Sequence, residues 1–232
     1  MKTVSRIFIG FIGSCLPSLG AVVWSGSTST DPFESSNWDF SGSSVTSIVS
    51  NVSIEDDINI VGGAVEIPNL AGQVRVQIGN GYKLTLDNAT LGLVAGGNDG
   101  VGGEPAGTGV EINLLNGSEL NTFFIVNGVT LNIDSTSSAT FGGGGNPINI
   151  STVNLVDGAT LQFLLEDPTE FTNEHLSKVF VNGAPAVDGS NILIESFNGG
   201  QGSKISVISI PEPSSVLLSL LGVAFLSTNR KR

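Results

Sequence analysis

The nonamers "INLLNGSEL" (Ile112 to Leu120) and "VNLVDGATL" (Val153 to Leu161) share one pattern. A β-branched residue, Asn, Leu and an apolar residue are followed by Asn or Asp, Gly, two variable residues and Leu. "LTLDNATL" (Leu84 to Leu91) and "LNIDS" (Leu131 to Ser135) are shorter variants, and "VSIEDDINI" (Val52 to Ile60) reads as an earlier copy. The four clearer copies start at residues 84, 112, 131 and 153, at intervals of 28, 19 and 22. The longest interval holds the Gly-rich insert "AGGNDGVGGEPAGTG" (Ala95 to Gly109). Units this short cannot bury an apolar face alone, so they must stack on one another.

Within each unit the apolar residues alternate, as in Leu84/Leu86, Ile112/Leu114 and Val153/Leu155. A period of two puts them on one face of a strand, with Thr or Asn on the other. Asn-Gly or Asp-Gly then supplies residues that tolerate φ > 0 for a turn. Composition agrees: Gly takes 31 positions and only 13% of residues are charged, a mixture suited to strands punctuated by turns. Asn-Gly ordinarily closes a two-residue hairpin, whereas a period near 23 suits one turn of a parallel coil. The fold read here is all-β, a short parallel β-solenoid, with an antiparallel β-sandwich as the alternative. The expected core contains Leu84, Leu86, Ile112, Leu114, Leu131, Ile133, Val153 and Leu155.

The chain divides into a signal peptide (1–20), a β-rich body (21–210) and a C-terminal segment (211–232). Coils are expected over about 45–165 and a C-terminal cap over about 166–205, with one short helix at Thr172 to Lys178. A cap with polar edges protects a solenoid end from edge-to-edge association. The repeats resemble the degenerate coils of autotransporter passengers. "VWSGSTSTDPFESSNWDFSG" (Val23 to Gly42) is similar to the Trp-rich opening that precedes such coils. That resemblance implies that Trp24 and Trp38 cap the first coil; an aromatic sugar platform is the other use of two tryptophans.

Both ends read as export signals. Lys2 and Arg6 precede an apolar run from Ile7 to Leu19, and Ser18, Gly20 and Ala21 offer small residues for signal peptidase, with cleavage near Gly20. Cys15, the only cysteine, lies inside this segment. "IGSC" (Ile12 to Cys15) loosely suits a lipoprotein box, but the apolar run before it is short. The mature chain then has no cysteine and no disulfide.

At the other end, Pro211-Glu212-Pro213 precedes an apolar stretch and the Arg230-Lys231-Arg232 cluster. Proline opposes helix at 211 and 213 and exposes Glu212 between extended flanks. A helix over Ser214 to Thr228 spans only about 22 Å, short of a ~30 Å hydrocarbon core, and the basic cluster stays cytoplasmic. This order and spacing closely resemble the PEP-CTERM sorting signal of Gram-negative bacteria, over about the last 23 residues. The resemblance implies an exosortase as partner alongside the secretion machinery, transient inner-membrane insertion, and removal of the helix. The protein would then be transferred to the cell surface or extracellular matrix. Proteins of this family commonly accompany exopolysaccharide and biofilm formation, which makes exopolysaccharide a candidate partner.

Between Arg6 and Arg230 the chain carries four cations, Arg75, Lys83, Lys178 and Lys204, against all 21 acids. Such a body repels nucleic acid, which needs a basic footprint. An enzyme needs a nucleophile, a base or a metal cage. His175 is the only histidine, and beside Glu174 it reads as a surface helix residue. Glu55-Asp56-Asp57 is the one tight acidic cluster, with Glu66 and Asp87 elsewhere, and adjacent acids on a strand point to opposite faces. "GGNDGVGG" (Gly96 to Gly103) partly matches a calcium nonapeptide but occurs once, where such sites need stacked copies, and reads as a flexible linker. No cofactor, metal or catalytic residue is expected. The expected function is that of an exported surface or matrix structural protein; a carbohydrate-binding adhesin and a polysaccharide-active β-helix enzyme are the alternatives.

Overall fold

A computed structural model describes residues 20–67, 74–93, 100–103 and 108–209. The chain is a β-solenoid of about four turns, so the parallel coil and not the sandwich is the architecture. Each turn visits a four-stranded, a nine-stranded and a seven-stranded sheet in that order. The first turn uses Ser53–Ile54, Asp57–Val61 and Ala64–Ile67, and the second uses Arg75–Ile78, Lys83–Asp87 and Thr90–Leu93. The third uses Gly100–Gly103, Val110–Leu115 and Glu119–Thr122, and the fourth Phe124–Val126, Val129–Ile133 and Ser138–Phe141. Thr152–Leu155 and Thr160–Phe163 then extend the two larger sheets.

Stacked strands pair in parallel, and their register follows the sequence repeat. Leu84 faces Ile112, Ile112 faces Leu131, and Leu131 faces Val153, so the four copy starts form one row. All eight expected core residues are buried to within 2% exposure. The earlier copy needs correction: Ile58, not Val52, faces Leu84, while Ser53–Ile54 belongs to the four-stranded sheet. Glu55 and Asp56 fall between these two strands and take the corner.

Facing out, the Asn at the second position of three units forms a ladder. Asn132 Nδ2 donates to Asn113 Oδ1 at 2.8 Å, and Asn154 Nδ2 donates to Asn132 Oδ1 at 2.7 Å. These bonds run between coils and keep the half-buried amides satisfied. At the next corner Asn116 (φ 55°) and Gly117 (φ 82°) both adopt the left-handed conformation, as the Asn-Gly reading requires.

The expected linker around Gly96 to Gly103 also needs correction. Its described part, Gly100–Gly103, is a fully buried strand paired with Arg75–Ile78 and Phe124–Val126. A Cβ at Gly100 would overlap the Phe124 ring, and one at Gly103 would come within 3.0 Å of the Asn127 carbonyl. Close approach by neighbouring coils, not flexibility, calls for glycine here.

At the N-terminal end Ala21–Trp24 adds in parallel to Asp57–Val61 and pairs antiparallel with the two-residue strand Trp38–Asp39. Trp24 and Trp38 meet edge to face, centroids 4.9 Å apart, each 7% exposed. They close the coil end and present no open ring face. Trp38 Nε1 donates to the Pro32 carbonyl at 2.7 Å. Asn37 is buried completely and organises the surrounding loop. Its Oδ1 accepts from Thr28 N, Thr28 Oγ1 and Ser29 N, and its Nδ2 donates to Ser29 Oγ and the Asp31 carbonyl. Asn37→Ala should destabilise the body by about 2 kcal/mol, because several loop groups lose their partner at once. A urea titration that leaves the midpoint unchanged would contradict this.

The C-terminal end is built from a helix and two hairpins. The helix is Pro168–Glu174, not Thr172 to Lys178; Leu176–Lys178 is a separate 3-10 turn. Asp167 sets the start, accepting from Thr169 N and Glu170 N while Glu170 reaches back to Asp167 N. Phe141 stacks on Phe163 and Phe171 tilts against Phe163, with centroids 5.3 and 5.2 Å apart. Val179–Val181 turns through Asn182-Gly183 into Ala184–Pro185, whose proline leaves one fewer donor on that sheet edge. Gly202–Val207 pairs antiparallel with Thr160–Phe163, and Ile192–Phe197 pairs antiparallel with Gly202–Val207 at the edge of the seven-stranded sheet. Among the described residues no helix is long and apolar enough to cross a membrane.

Candidate functional site

Pro211, Glu212, Pro213, Arg230, Lys231, Arg232 and the helix expected at 214–228 lie outside the described residues, as does Ser18. Gly20 (φ 118°) precedes the first strand, and Ala21 opens it in register with Asp57.

The acids singled out in the sequence are spread over strands and corners of the first two coils. Asp57 Oδ1 accepts from Lys83 N at 3.1 Å, and its Oδ2 lies 3.6 Å from Lys83 Nζ. Asp56 accepts from Asp57 N, Asp87 from Asn116 Nδ2, and Glu66 from Thr30 Oγ1. Asp56, Asp57, Asp87 and Glu66 each accept from a nearby donor, and these acids do not converge on a common point.

A cleft of about 640 Å³ lies beside the N-terminal cap. Trp24 and the run Ser25 to Thr30 form one wall, and Val61, Gly62, Gly63 and Ala64 form the other. Its lining offers an indole edge, hydroxyls and exposed backbone, groups that suit a polyhydroxylated ligand.

Among the described residues the densest ionisable cluster sits at the opposite end, and it corrects the surface reading of His175. Nothing of His175 is exposed. The helix end carries it beneath Phe163, with rings 5.5 Å apart and 6° from parallel. Its Nε2 lies 3.7 Å from Oε2 of the buried Glu166. Its Nδ1 lies 3.4 Å from Lys178 Nζ, which donates to Asn146 Oδ1 at 2.9 Å. Glu166 Oε1 accepts from Gly145 N, so the loop bearing Asn146 is tied to the same carboxyl.

Burial drives the His175 pKa down to about 4, and the Lys178 charge pushes the same way. Burial raises that of Glu166, reinforced by Glu170, Glu174 and Asp167 and partly offset by the Gly145 N–H. Burial also lowers that of Lys178, against the opposing pull of Glu174 and Glu166. At neutral pH the imidazole is therefore uncharged, and its contact with Glu166 is not a full ion pair. Lys178 donating to Nδ1 leaves the ring proton on Nε2, directed at Glu166.

Ligand atoms of Glu166, Glu174 and His175 lie within 4.8 Å of one another, a spacing open to a metal ion. The donor set does not fit one. A ligating imidazole uses its second nitrogen to donate to an acceptor, whereas Nδ1 here faces an ammonium. The arrangement instead places an amine, an imidazole and a carboxyl in line, with a carboxamide against the amine. Sequence reasoning reached His175 but not Asn146, Glu166 or Lys178. The i,i+3 spacing of His175 and Lys178 was the one local signal available.

Comparison with protein-family models, with curated proteins and with solved structures returned no match.

Proposed function

We propose that this chain is an exported structural protein of a Gram-negative cell surface or extracellular matrix, released by exosortase processing at Pro211-Glu212-Pro213 and associated with exopolysaccharide. The observation that carries the structural role is the Asn113–Asn132–Asn154 ladder. It lies on a coil with capped ends, and its polar groups bond to one another along the stack instead of converging on a substrate. The tail carries the export reading, through its Pro-Glu-Pro, apolar stretch and basic cluster.

Replacing Pro211, Glu212 and Pro213 with Ala leaves or lengthens the helix, because Ala favours helix and Pro opposes it. In an exosortase-bearing host this variant should accumulate uncleaved in the inner membrane. The parent should be released with its C-terminus close to residue 213, as read by mass spectrometry. Recovery of intact Arg232 on the released protein would overturn the sorting reading.

The cleft beside Trp24 favours a second reading, a carbohydrate-binding adhesin. Incubating the body with its host's exopolysaccharide separates the roles: retention without cleavage marks the adhesin, chain shortening an enzyme, and neither a scaffold.

A further inference from the structure

The amine of Lys178 and the carboxamide of Asn146 touch across the joint between the last coils and the C-terminal cap, at 2.9 Å from Nζ to Oδ1. Since a C=O bond is about 1.23 Å, Nζ is no more than about 4.1 Å from Asn146 Cγ. That is a small step from the ~3–3.5 Å of a reactive approach. The same amine has an imidazole nitrogen at 3.4 Å, and the far side of that ring faces a buried carboxyl at 3.7 Å. Nucleophile, base and orienting carboxyl thus stand in the order that nucleophilic acyl transfer uses.

We propose that Lys178 and Asn146 become joined by an intramolecular amide bond, formed by attack of Nζ on Cγ with loss of ammonia. His175 Nδ1 takes a proton from Nζ as the Nζ–Cγ bond forms, and returns it to Nδ2 as the Cγ–Nδ2 bond breaks. A neutral lysine amine and a primary carboxamide go in; a secondary amide and ammonia come out. No electrons change hands, and no co-reactant is required. Glu166 is a positioning residue: its Oε2 faces Nε2 at 3.7 Å, and its Oε1 accepts from Gly145 N on the loop that carries Asn146.

Two further features favour this outcome. Burial lowers the pKa of Lys178, which raises the fraction of free amine. Pro147 follows Asn146 and has no N–H, so the usual backbone attack that consumes an asparagine carboxamide is blocked there. The bond would clamp the loop after Ser138–Phe141 to the segment entering Val179–Val181, closing a long loop in a body without cysteine.

Trypsin reads the bond directly. There is no Lys or Arg between Lys83 and Lys178, and the next cation is Lys204. A linked Lys178 is not cut, so residues 84–204 should emerge as one peptide, lighter than its sequence mass by one ammonia, about 17 Da. Lys178→Arg keeps the charge and restores cleavage at 178, and Asn146→Ala also removes the link. Both should melt below the parent by roughly 5–10 °C. Glu166→Gln in the full chain should slow appearance of the linked peptide, whereas in the Lys178→Arg background it should leave the fold's circular dichroism unchanged. Separate peptides 84–178 and 179–204 at unshifted mass after prolonged incubation of the purified chain would overturn the proposal. So would loss of the Asn146 amide with trypsin still cutting after Lys178.

Discussion

Leu114→Asp should abolish the cooperative unfolding transition of the body. Leu114 is fully buried, and its strand neighbours in register are Leu86 and Ile133. An aspartate there loses the packing of a large core side chain, worth about 2–5 kcal/mol. It also strands a carboxylate among aliphatic groups, at a further several kcal/mol after partial relaxation. The combined cost is comparable to the whole stability of a typical domain, about 5–15 kcal/mol. The control is one residue away. Asn113→Asp places the same charge on the outward face and keeps an oxygen to accept from Asn132 Nδ2, so its cost should stay within about 1 kcal/mol. Thermal melts followed by circular dichroism compare them. Equal damage from both substitutions would mean that the strand faces are assigned wrongly.

The body should lose about 3 kcal/mol of stability through His175 as pH falls from 6.5 to 4. Folded His175 titrates at about 4 against an ordinary value of 6.5, so the unfolded chain binds more protons between those limits. The contribution is complete above pH 6.5 and is lost on acidification, at about 1.36 kcal/mol for each pKa unit. Glu166 works in the opposite sense. Its raised pKa gives stability that is complete below its ordinary value and lost as pH rises through the folded one. His175→Phe keeps an aromatic ring against Phe163 and removes the titrating group. Urea titrations at several pH values should show the acid-side decline flattened or reversed in this variant, with only the Glu166 trend remaining at this site. The comparison is of slopes, so a uniform change in stability does not affect it. An unchanged acid-side slope would place the decline elsewhere.

How much of this was legible in the chain varies from element to element. The alternation around Leu84, Ile112, Leu131 and Val153 determined both the buried face and the stacking row, because a one-residue slip would turn every apolar side chain outward. The Asn-Gly pairs determined where the backbone enters the left-handed region, a local property of those two residues. The direction of the chain beyond each pair was settled only by packing. Asn116-Gly117 turns a corner between two sheets, whereas Asn182-Gly183 folds its strand back on itself as a hairpin. The dipeptide is the same, but only the first has a further coil onto which the chain continues in parallel.

Tertiary structure also decided the role of residues whose surroundings are assembled from afar. Gly100–Gly103 looks like linker until Phe124 and Asn127 of the next coil press against it. His175 looks like a surface residue on a polar helix, and becomes the most enclosed base in the described structure only because Phe163 and Glu166 close over it. Asn146 and Lys178 are separated by 32 positions and carry no shared motif. Periodicity reports which face of a strand is buried, since that depends on neighbours two residues away. It carries no information on which loop meets which cap, because that contact depends on how many coils lie between them.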